Sequence, residues 1–237
     1  MKIGLLGGTG NMGRGLTIRW ALKHEILVGS RNLDKASRIA KGLSNLARGF
    51  YQSEMGGIIT GVLNEDAVKE SEVIVVTLPP KATVPVLSSL NANLRPSQIV
   101  ISTVVPMMRK KELFYYSSLD PEGTKRDEMS AAERIQEIVG PSPVVSAFQT
   151  VPATYLSNID AILNIDVLIA GNDELSINIV SRLVRDIPNL RPLRVGPLEN
   201  SKWIESFTPL LINAAILNGL HDPSIRIVPW MPTSDEL

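Results

Sequence analysis

A short apolar strand that runs directly into a glycine-rich turn and then into a helical pattern constrains this chain most. Gly8, Gly10 and Gly13 follow residues 2–6 at the spacing Gly-x-Gly-x-x-Gly. In such a loop the first glycine permits a tight turn, the second keeps side chains away from phosphates, and the third lets the helix pack closely on the sheet. The helix N-terminus then faces an anion. The pattern predicts a dinucleotide site; the alternative is a turn without a ligand. The predicted contacts are Gly8, Thr9, Gly10, Asn11, Met12 and Gly13.

Composition excludes several classes of protein. The chain has 237 residues, 44% of them apolar and 20% charged, and a formal net charge of zero. This length suits one large domain, or one domain with a smaller appendage. Neutral net charge argues against nucleic acid or an acidic membrane as the main partner. We expect a soluble, cytoplasmic protein, because a strand begins within two residues of the start and no apolar run reaches membrane-spanning length.

Cysteine and histidine are too scarce for several kinds of site. There is no cysteine, which excludes disulfides, thiolate metal sites and a cysteine nucleophile. The two histidines, His24 and His221, have no neighbours at metal-ligand spacing, so no zinc site is predicted.

Strands and helices alternate along the chain, which predicts an α/β fold with a Rossmann-type, doubly wound parallel sheet. The predicted strands are 2–6, 25–28, 58–62, 72–78, 99–104, 144–147, 167–170 and 193–195. The predicted helices are 12–23, 34–46, 82–90, 131–139 and 174–186, with a long helix from 201 onward. Residues 107–128 are predicted to be irregular, because they are rich in charge and contain proline and glycine.

Three features refine this prediction. Ser130 is expected to cap the helix that follows, with Glu133 completing a capping box, and Asn64 is expected to cap another. The long last helix carries a wide apolar surface. It either forms a dimer contact or caps a domain, or it packs on its own sheet. Its apolar residues are Trp203, Ile204, Phe207, Leu210, Leu211, Ala214 and Leu217.

The end of the second strand predicts which dinucleotide binds. A site for NAD places a carboxylate there, to accept hydrogen bonds from the ribose 2′-hydroxyl. This chain has Ser30 and Arg31 instead, with Lys35 four residues after Arg31. Such groups stabilise a 2′-phosphate through charge-assisted hydrogen bonds. We therefore predict NADP(H); the alternative is that the two cations only decorate an exposed helix start.

Several motifs together resemble the NADPH-dependent reductases of coenzyme F420, a deazaflavin. The resemblance runs from the glycine loop, through Val28–Arg31 and Thr77–Pro79, to a more specific late block over residues 190–210. It implies an archaeal-type F420:NADP oxidoreductase that forms a homodimer. It also implies a division into residues 1–195, an NADP-binding Rossmann domain, and residues 196–237, a small domain for the dimer contact and the second-cofactor cleft. No separate catalytic group is predicted, because hydride transfer between two rings needs mainly juxtaposition.

The rings are expected at strand ends, because ligands of open α/β sheets bind outside the carboxyl ends of the strands. The candidates are Leu78, Pro79, Val104, Val105, Gln149 and Thr150. Gln149 departs from the family, which often has histidine there. The basic cluster Arg109–Lys111 is either a contact for the anionic tail of the deazaflavin or part of a solvated loop.

Two other functions compete with this prediction. One is an NADPH-dependent reductase of another substrate, such as a flavin, an imine or a carbonyl compound. Imine and carbonyl reductases usually need a helical substrate domain, and only a short region follows the sheet here. The other is a non-catalytic NADP(H)-sensing module, which would keep the glycine loop but lack a cleft for a second substrate.

Overall fold

An eight-stranded, mostly parallel sheet organises the chain in the computed structural model, which describes residues 1–120 and 128–228. The strands of that sheet are β1 (Lys2–Leu6), β2 (Glu25–Ser30), β3 (Ile59–Leu63), β4 (Val73–Val76), β5 (Ile99–Ser102), β8 (Val144–Ser146), β9 (Ile165–Gly171) and β10 (Leu190–Arg194). A separate hairpin contains β6 (Met107–Lys110) and β7 (Leu113–Tyr116). The helices are α1 (Asn11–Trp20), α2 (Leu33–Tyr51), α3 (Asn64–Glu70), α4 (Pro80–Leu90), α5 (Ala131–Val139), α6 (Ala153–Ser157), α7 (Glu174–Arg185) and α8 (Ser201–Asn218).

The strand order is β10-β9-β8-β5-β4-β1-β2-β3, and β8 with β9 is the one antiparallel pair in the described sheet. The chain leaves β1 toward β2 and β3, and then crosses back to β4 on the other side of β1. Parallel strands buried on both faces read as continuous apolar runs, as Val73–Val76 does. The reversal beside β1 opens a crevice at the carboxyl ends of β1 and β4, where ligands of such sheets bind.

Two apolar clusters cover the two faces of the sheet. On one face α1, α2 and α7 pack together, with the rings of Trp20 and Phe148 edge to face at 5.5 Å. On the other face α3, α4 and α5 pack around residues such as Leu87 and Ile135. Helices on both faces confirm the predicted doubly wound α/β fold.

The expectation that residues 107–128 are irregular was wrong for the β6–β7 hairpin. The aromatic run in β7 pairs antiparallel with β6, and a turn with Lys111 at φ +55° joins the two strands. The Arg109 guanidinium lies over the ring of Phe114 and the Lys110 ammonium over that of Tyr115. Residues 121–127 of this stretch lie outside the described residues. The role of the basic cluster toward an anionic tail stays a prediction.

The two predicted caps had different outcomes. The Ser130 hydroxyl accepts from the Glu133 backbone N–H at 3.1 Å, and the Glu133 carboxylate accepts from the Ser130 N–H at 2.9 Å, which confirms the capping box. Asn64 does not cap α3, because it is already the first helical residue. Its side chain turns instead toward the glycine loop.

The last helix follows the sheet and packs on it only in part. Ile204 is buried against Leu168 and Ala170 of β9. The opposite face of α8 stays in contact with solvent in this chain, where Trp203 is 66% exposed and Leu210 is 62% exposed. In the described ranges, no helix is both long enough and apolar enough to cross a membrane.

Candidate functional site

The turn after β1 depends on a glycine that lies just outside the Gly-x-Gly-x-x-Gly pattern. Gly7 has φ +74°, in the left-handed region that favours glycine. Gly8, where the tight turn was expected, lies in the same turn and does not have a positive φ. It donates its backbone N–H to the carbonyl oxygens of Leu5 and Gly29, at 3.1 and 3.0 Å, which fixes the loop between β1 and β2.

Gly13 and Gly10 have the environments that the loop pattern predicts. A β-carbon at Gly13 would lie 2.5 Å from the Gly8 Cα and 2.7 Å from the Gly8 carbonyl oxygen, so α1 packs directly on the loop. A β-carbon at Gly10 would meet only the Gly7 carbonyl oxygen, at 3.4 Å. Gly10 is the N-cap residue of α1 and has no side chain to cover the first turn. The N–H groups of that turn therefore face open space that an anion can fill.

The groups at the end of β2 lie beside this loop. Ser30 is buried, and its hydroxyl oxygen accepts from the Asn32 N–H at 3.2 Å. Asn32 caps α2 by accepting from the Lys35 N–H at 2.8 Å, which holds the turn. Arg31 and Lys35 are both exposed. Their cationic heads can therefore reach a ligand that lies over the loop.

A cleft of about 420 Å³ brings these parts together at the topological switch point. No carboxylate lines it in the described structure, whereas two cationic side chains do, which favours a polyanion. Its lining residues are Gly7, Thr9, Gly10, Asn11, Ser30, Arg31, Lys35, Asn64, Thr77, Leu78, Pro79, Ala82 and Val86. Of the predicted loop contacts, Gly8 and Gly13 lie beneath this surface, and Met12 lines a neighbouring cavity.

Sequence reasoning missed two polar side chains of the cleft, Asn64 and Thr77, and also Gly7, Ala82 and Val86. The Asn64 side-chain oxygen lies 3.4 Å from the Gly7 N–H, and the Thr77 hydroxyl donates to the Leu6 carbonyl at 2.9 Å. Asn64 follows β3 and Thr77 follows β4, at the edge of the sheet where the carboxyl ends of the parallel strands lie. That position directly after a strand was the available signal.

A second cavity, of about 450 Å³, lies between the carboxyl ends of β5 and β8 and the helix α8. Its wall is mostly apolar. The lining residues are Met12, Thr103, Val105, Met107, Gln149, Thr150, Val151, Pro152, Ala153, Thr154, Thr208, Leu211, Ile212, Ala215, Ile216, Asp222 and Pro223. Below, this space is called the α8 cavity, and the cleft over the glycine loop is called the glycine-loop cleft.

The six candidates for ring contacts are divided by the fold. Leu78 and Pro79 line the glycine-loop cleft. Val105, Gln149 and Thr150 line the α8 cavity. Val104 lines neither, because its side chain is only 3% exposed and belongs to the apolar cluster with α4 and α5.

Gln149 and the neighbouring Thr150 are buried polar residues of the α8 cavity wall, each with 4% of its surface exposed. Gln149 has the longer side chain. Its Nε2 donates to the Ser102 carbonyl and to the Ser146 hydroxyl, both at 2.8 Å. Its Oε1 is also buried and has no hydrogen-bond partner among the described residues. Buried polar atoms are almost always paired, so an orphaned acceptor that belongs to a cavity wall needs an explanation.

The hairpin is tied to the base of α8 by a buried carboxyl group. Glu205 accepts hydrogen bonds from the Ala131 and Ala132 N–H groups, at 2.9 and 3.1 Å, and from the Tyr116 hydroxyl at 3.2 Å. Burial raises the pKa of Glu205 to about 8, although these three donors act in the opposite direction. Burial and the nearby carboxyl group of Glu205 also raise the pKa of Tyr116.

Residues 219–228 run back from α8 across the mouth of the α8 cavity. The Ser224 hydroxyl donates to the Thr150 carbonyl, and the Thr154 hydroxyl donates to the Asp222 carboxylate, both at 2.7 Å. Further on, the buried Asp166 accepts from Arg191 and from the Ile227 N–H. Burial works to raise the pKa of Asp166, but these hydrogen bonds hold it below its usual value. The segment is thus anchored beside the cavity by Asp222 and Ser224, and farther along the chain by Ile227.

Comparisons with known proteins agree with one another, the family model over the N-terminal part of the chain and the relatives over 96% of it. Residues 2–106 match the family model described as NADP oxidoreductase, coenzyme F420-dependent. The F420-dependent NADP reductase of Methanocaldococcus jannaschii is 35% identical over 232 residues, which cover 96% of this chain and 98% of that protein. The reductase of the same name from Methanothermobacter marburgensis is 32% identical, with coverages of 96% and 98%.

A solved structure shares the fold. The crystal structure of a protein assigned as an F420-dependent NADP-reductase from Arthrobacter sp. FB24 matches with a TM-score of 0.73 and 21% identity. It covers 96% of this chain and 99% of that one. At this identity the likeness supports the fold.

Proposed function

Since the chain belongs to the family of coenzyme F420-dependent NADP oxidoreductases, we propose that it is an enzyme that transfers a hydride between NADP(H) and the deazaflavin coenzyme F420. The observation that carries this proposal is the position of two cavities on either side of the start of α1. Asn11 lines the glycine-loop cleft and Met12 lines the α8 cavity. Two ligands can therefore meet at this point, as a hydride transfer between two rings requires.

NADP(H) fits the glycine-loop cleft. The uncapped N-terminus of α1 and the open space above Gly10 suit a pyrophosphate. Arg31 and Lys35, with the Ser30 hydroxyl, suit a 2′-phosphate better than a 2′-hydroxyl, because no carboxylate lines the described cleft. Leu78 and Pro79 would bound the path from the loop toward the reacting ring.

The deazaflavin ring fits the α8 cavity, which has a volume of about 450 Å³ and a mostly apolar wall. When both coenzymes are bound, they supply the chemistry, a hydride passing between nicotinamide and deazaflavin carbons. The chain has to orient the two rings and exclude water from the space between them. Val105, Leu211 and Ile212 contribute apolar surface for this purpose, and residues 222–223 cover one side of the cavity mouth.

We place the NADP-binding part in residues 1–195 and the dimer contact, with one wall of the second cleft, in residues 196–237. The exposed apolar face of α8 supports a homodimer, since monomers rarely expose contiguous large apolar patches. Trp203, Phe207, Leu210 and Leu217 are 42 to 69% exposed on this helix. Cytoplasmic location and an archaeal-type enzyme stay predictions.

One assay separates the competing functions. Purified protein is mixed with NADPH and with oxidised F420, FMN, FAD, an imine or a carbonyl compound in parallel reactions, and the absorbance of each coloured acceptor or of NADPH is followed. We expect turnover with F420 and much slower turnover with the flavins. Tight NADPH binding with no turnover of any acceptor would contradict the proposal and favour a sensing module. Reduction of an imine or a carbonyl compound, with F420 unchanged, would favour the other reductases.

A further inference from the structure

The orientation of the Gln149 amide is set by its neighbours. Nε2 lies 2.8 Å from the Ser102 carbonyl oxygen, which can only accept a hydrogen bond. The reversed amide would place two acceptors against each other, so Oε1 is the atom left over. This oxygen is buried, belongs to a residue of the α8 cavity wall, and has no partner among the described residues.

Other polar groups of the cavity also present acceptors. The Thr103 hydroxyl donates its hydrogen to the Val76 carbonyl, and the Thr208 hydroxyl donates to the Gln149 carbonyl. The Thr154 hydroxyl donates to Asp222. A hydroxyl has one hydrogen to donate, so these three oxygens can only accept from a ligand. The Thr150 hydroxyl, next to Gln149 in the chain, is still able to donate.

We propose that Gln149 Oε1 accepts a hydrogen bond from the ring imide N–H of the deazaflavin, and that this contact selects for rings that carry such an N–H, a group that flavins share. The inference rests on the proposed function. A deazaflavin imide has one N–H between two carbonyl oxygens. Gln149 Oε1 can accept from that N–H, and the hydroxyl of the next residue, Thr150, can donate to a carbonyl oxygen. A ring without that N–H leaves Oε1 desolvated and unpaired, and such a mismatch is rejected more strongly than a missing methylene group.

A variant that keeps the volume and removes the acceptor tests the proposal. For Gln149→Met we expect the Kd for F420, measured by quenching of its fluorescence, to rise about five- to tenfold. The Kd for NADPH should stay within about twofold. Ser102→Ala is the matched control, because it removes the other buried, unpartnered hydroxyl nearby and keeps the carbonyl that orients Gln149. It should leave both values unchanged.

A second measurement can be decided on the wild-type protein, with a variant as support. An F420 analogue methylated at the imide nitrogen should bind the wild-type protein at least tenfold more weakly than F420, and Gln149→Ala should remove most of this difference. Equal binding of the two ligands by the wild-type protein would overturn the inference. The inference would also be overturned if Gln149→Met had an unchanged Kd for F420, or if its Kd for NADPH rose as much as its Kd for F420.

The two proposals fail in different ways. If the wild-type protein neither binds nor reduces F420, the proposed function itself is wrong. A different result is that the wild-type protein reduces F420 while the methylated analogue binds as tightly as F420 and Gln149→Met binds F420 as tightly as the wild-type protein. In that case only the role of Gln149 is wrong.

Discussion

Asn11 and Met12 are neighbours in the first turn of α1, yet they line different cavities. Asn11 belongs to the glycine-loop cleft, with Arg31 and Lys35, and Met12 belongs to the α8 cavity, with Gln149. Successive residues of a helix point about 100° apart, so one turn can serve two spaces. The two predicted coenzyme sites are therefore held together by a short and well-packed segment. The relative positions of the rings then depend on how closely α1 packs against the glycine loop.

Gly13→Ala should disturb the packing of α1 on the glycine loop. The new β-carbon would lie 2.5 Å from the Gly8 Cα, and backbone on both sides leaves little room to adjust. We expect a loss of about 1–3 kcal/mol in the free energy of unfolding and at least tenfold weaker NADPH binding. Chemical denaturation and NADPH fluorescence titration measure the two effects.

Gly42→Ala is the matched control for that substitution. Gly42 lies inside α2, and a β-carbon added there would have no neighbouring atom within 4 Å. Alanine should stabilise the protein by about 0.5–1 kcal/mol and leave NADPH binding unchanged. Equal behaviour of the two variants would contradict the close packing of α1 on the loop.

Arg31→Glu should remove the preference for NADPH over NADH. The substitution replaces a cation at the end of β2 with a carboxylate, which repels a 2′-phosphate and can accept from a 2′-hydroxyl. We expect the KM for NADPH to rise about 10- to 100-fold, with little change for NADH. Lys41→Glu, the same type of charge change at an exposed position within α2, controls for net charge. An unchanged preference would refute the 2′-phosphate site.

Leu210→Asp should convert the proposed homodimer into a monomer. Leu210 is 62% exposed on the outer face of α8, where a charge would be buried by the partner copy. Size-exclusion chromatography with light scattering measures the mass. Leu175→Asp, at a residue of α7 that is 74% exposed, should leave the mass unchanged. A wild-type monomer would contradict the dimer proposal directly.

The buried Glu205 predicts how stability changes with pH. Burial raises its pKa from the ordinary value of 4.5 to about 8 in the folded protein. Between these values Glu205 keeps its proton in the folded state and has lost it in the unfolded state. Its contribution to the free energy of unfolding is therefore fully present below about pH 4.5 and is lost as the pH rises toward 8. A shift of this size corresponds to a loss on the order of 5 kcal/mol across the window.

Glu205→Gln provides the comparison, because glutamine does not ionise. Its free energy of unfolding should change less between pH 5 and pH 8 than that of the wild-type protein. Urea denaturation at several pH values measures both curves. Parallel curves would show that Glu205 does not titrate in this range.

Much of the fold could be predicted because the relevant interactions are local. The buried β-branched run of β4, the Ser130 capping box and the alternation of strands and helices each follow from neighbours in the sequence. The β6–β7 hairpin was not predicted, because it is stabilised by cross-strand pairing and by cationic side chains that lie over aromatic rings. Those contacts are not visible in a linear pattern of charge and proline.

By itself, the sequence determined the strand–glycine–helix unit, and it led to the prediction that Ser30, Arg31 and Lys35 contact a 2′-phosphate. These features depend on spacing within about thirty residues. Only the tertiary structure decided that Gly7 makes the turn, that Asn64 faces the loop, that Val104 is in the core, and that Gln149 keeps an unpaired oxygen at a second cavity. The reason is physical: burial and hydrogen-bond pairing depend on which distant segments meet, and neither can be counted until the chain has folded.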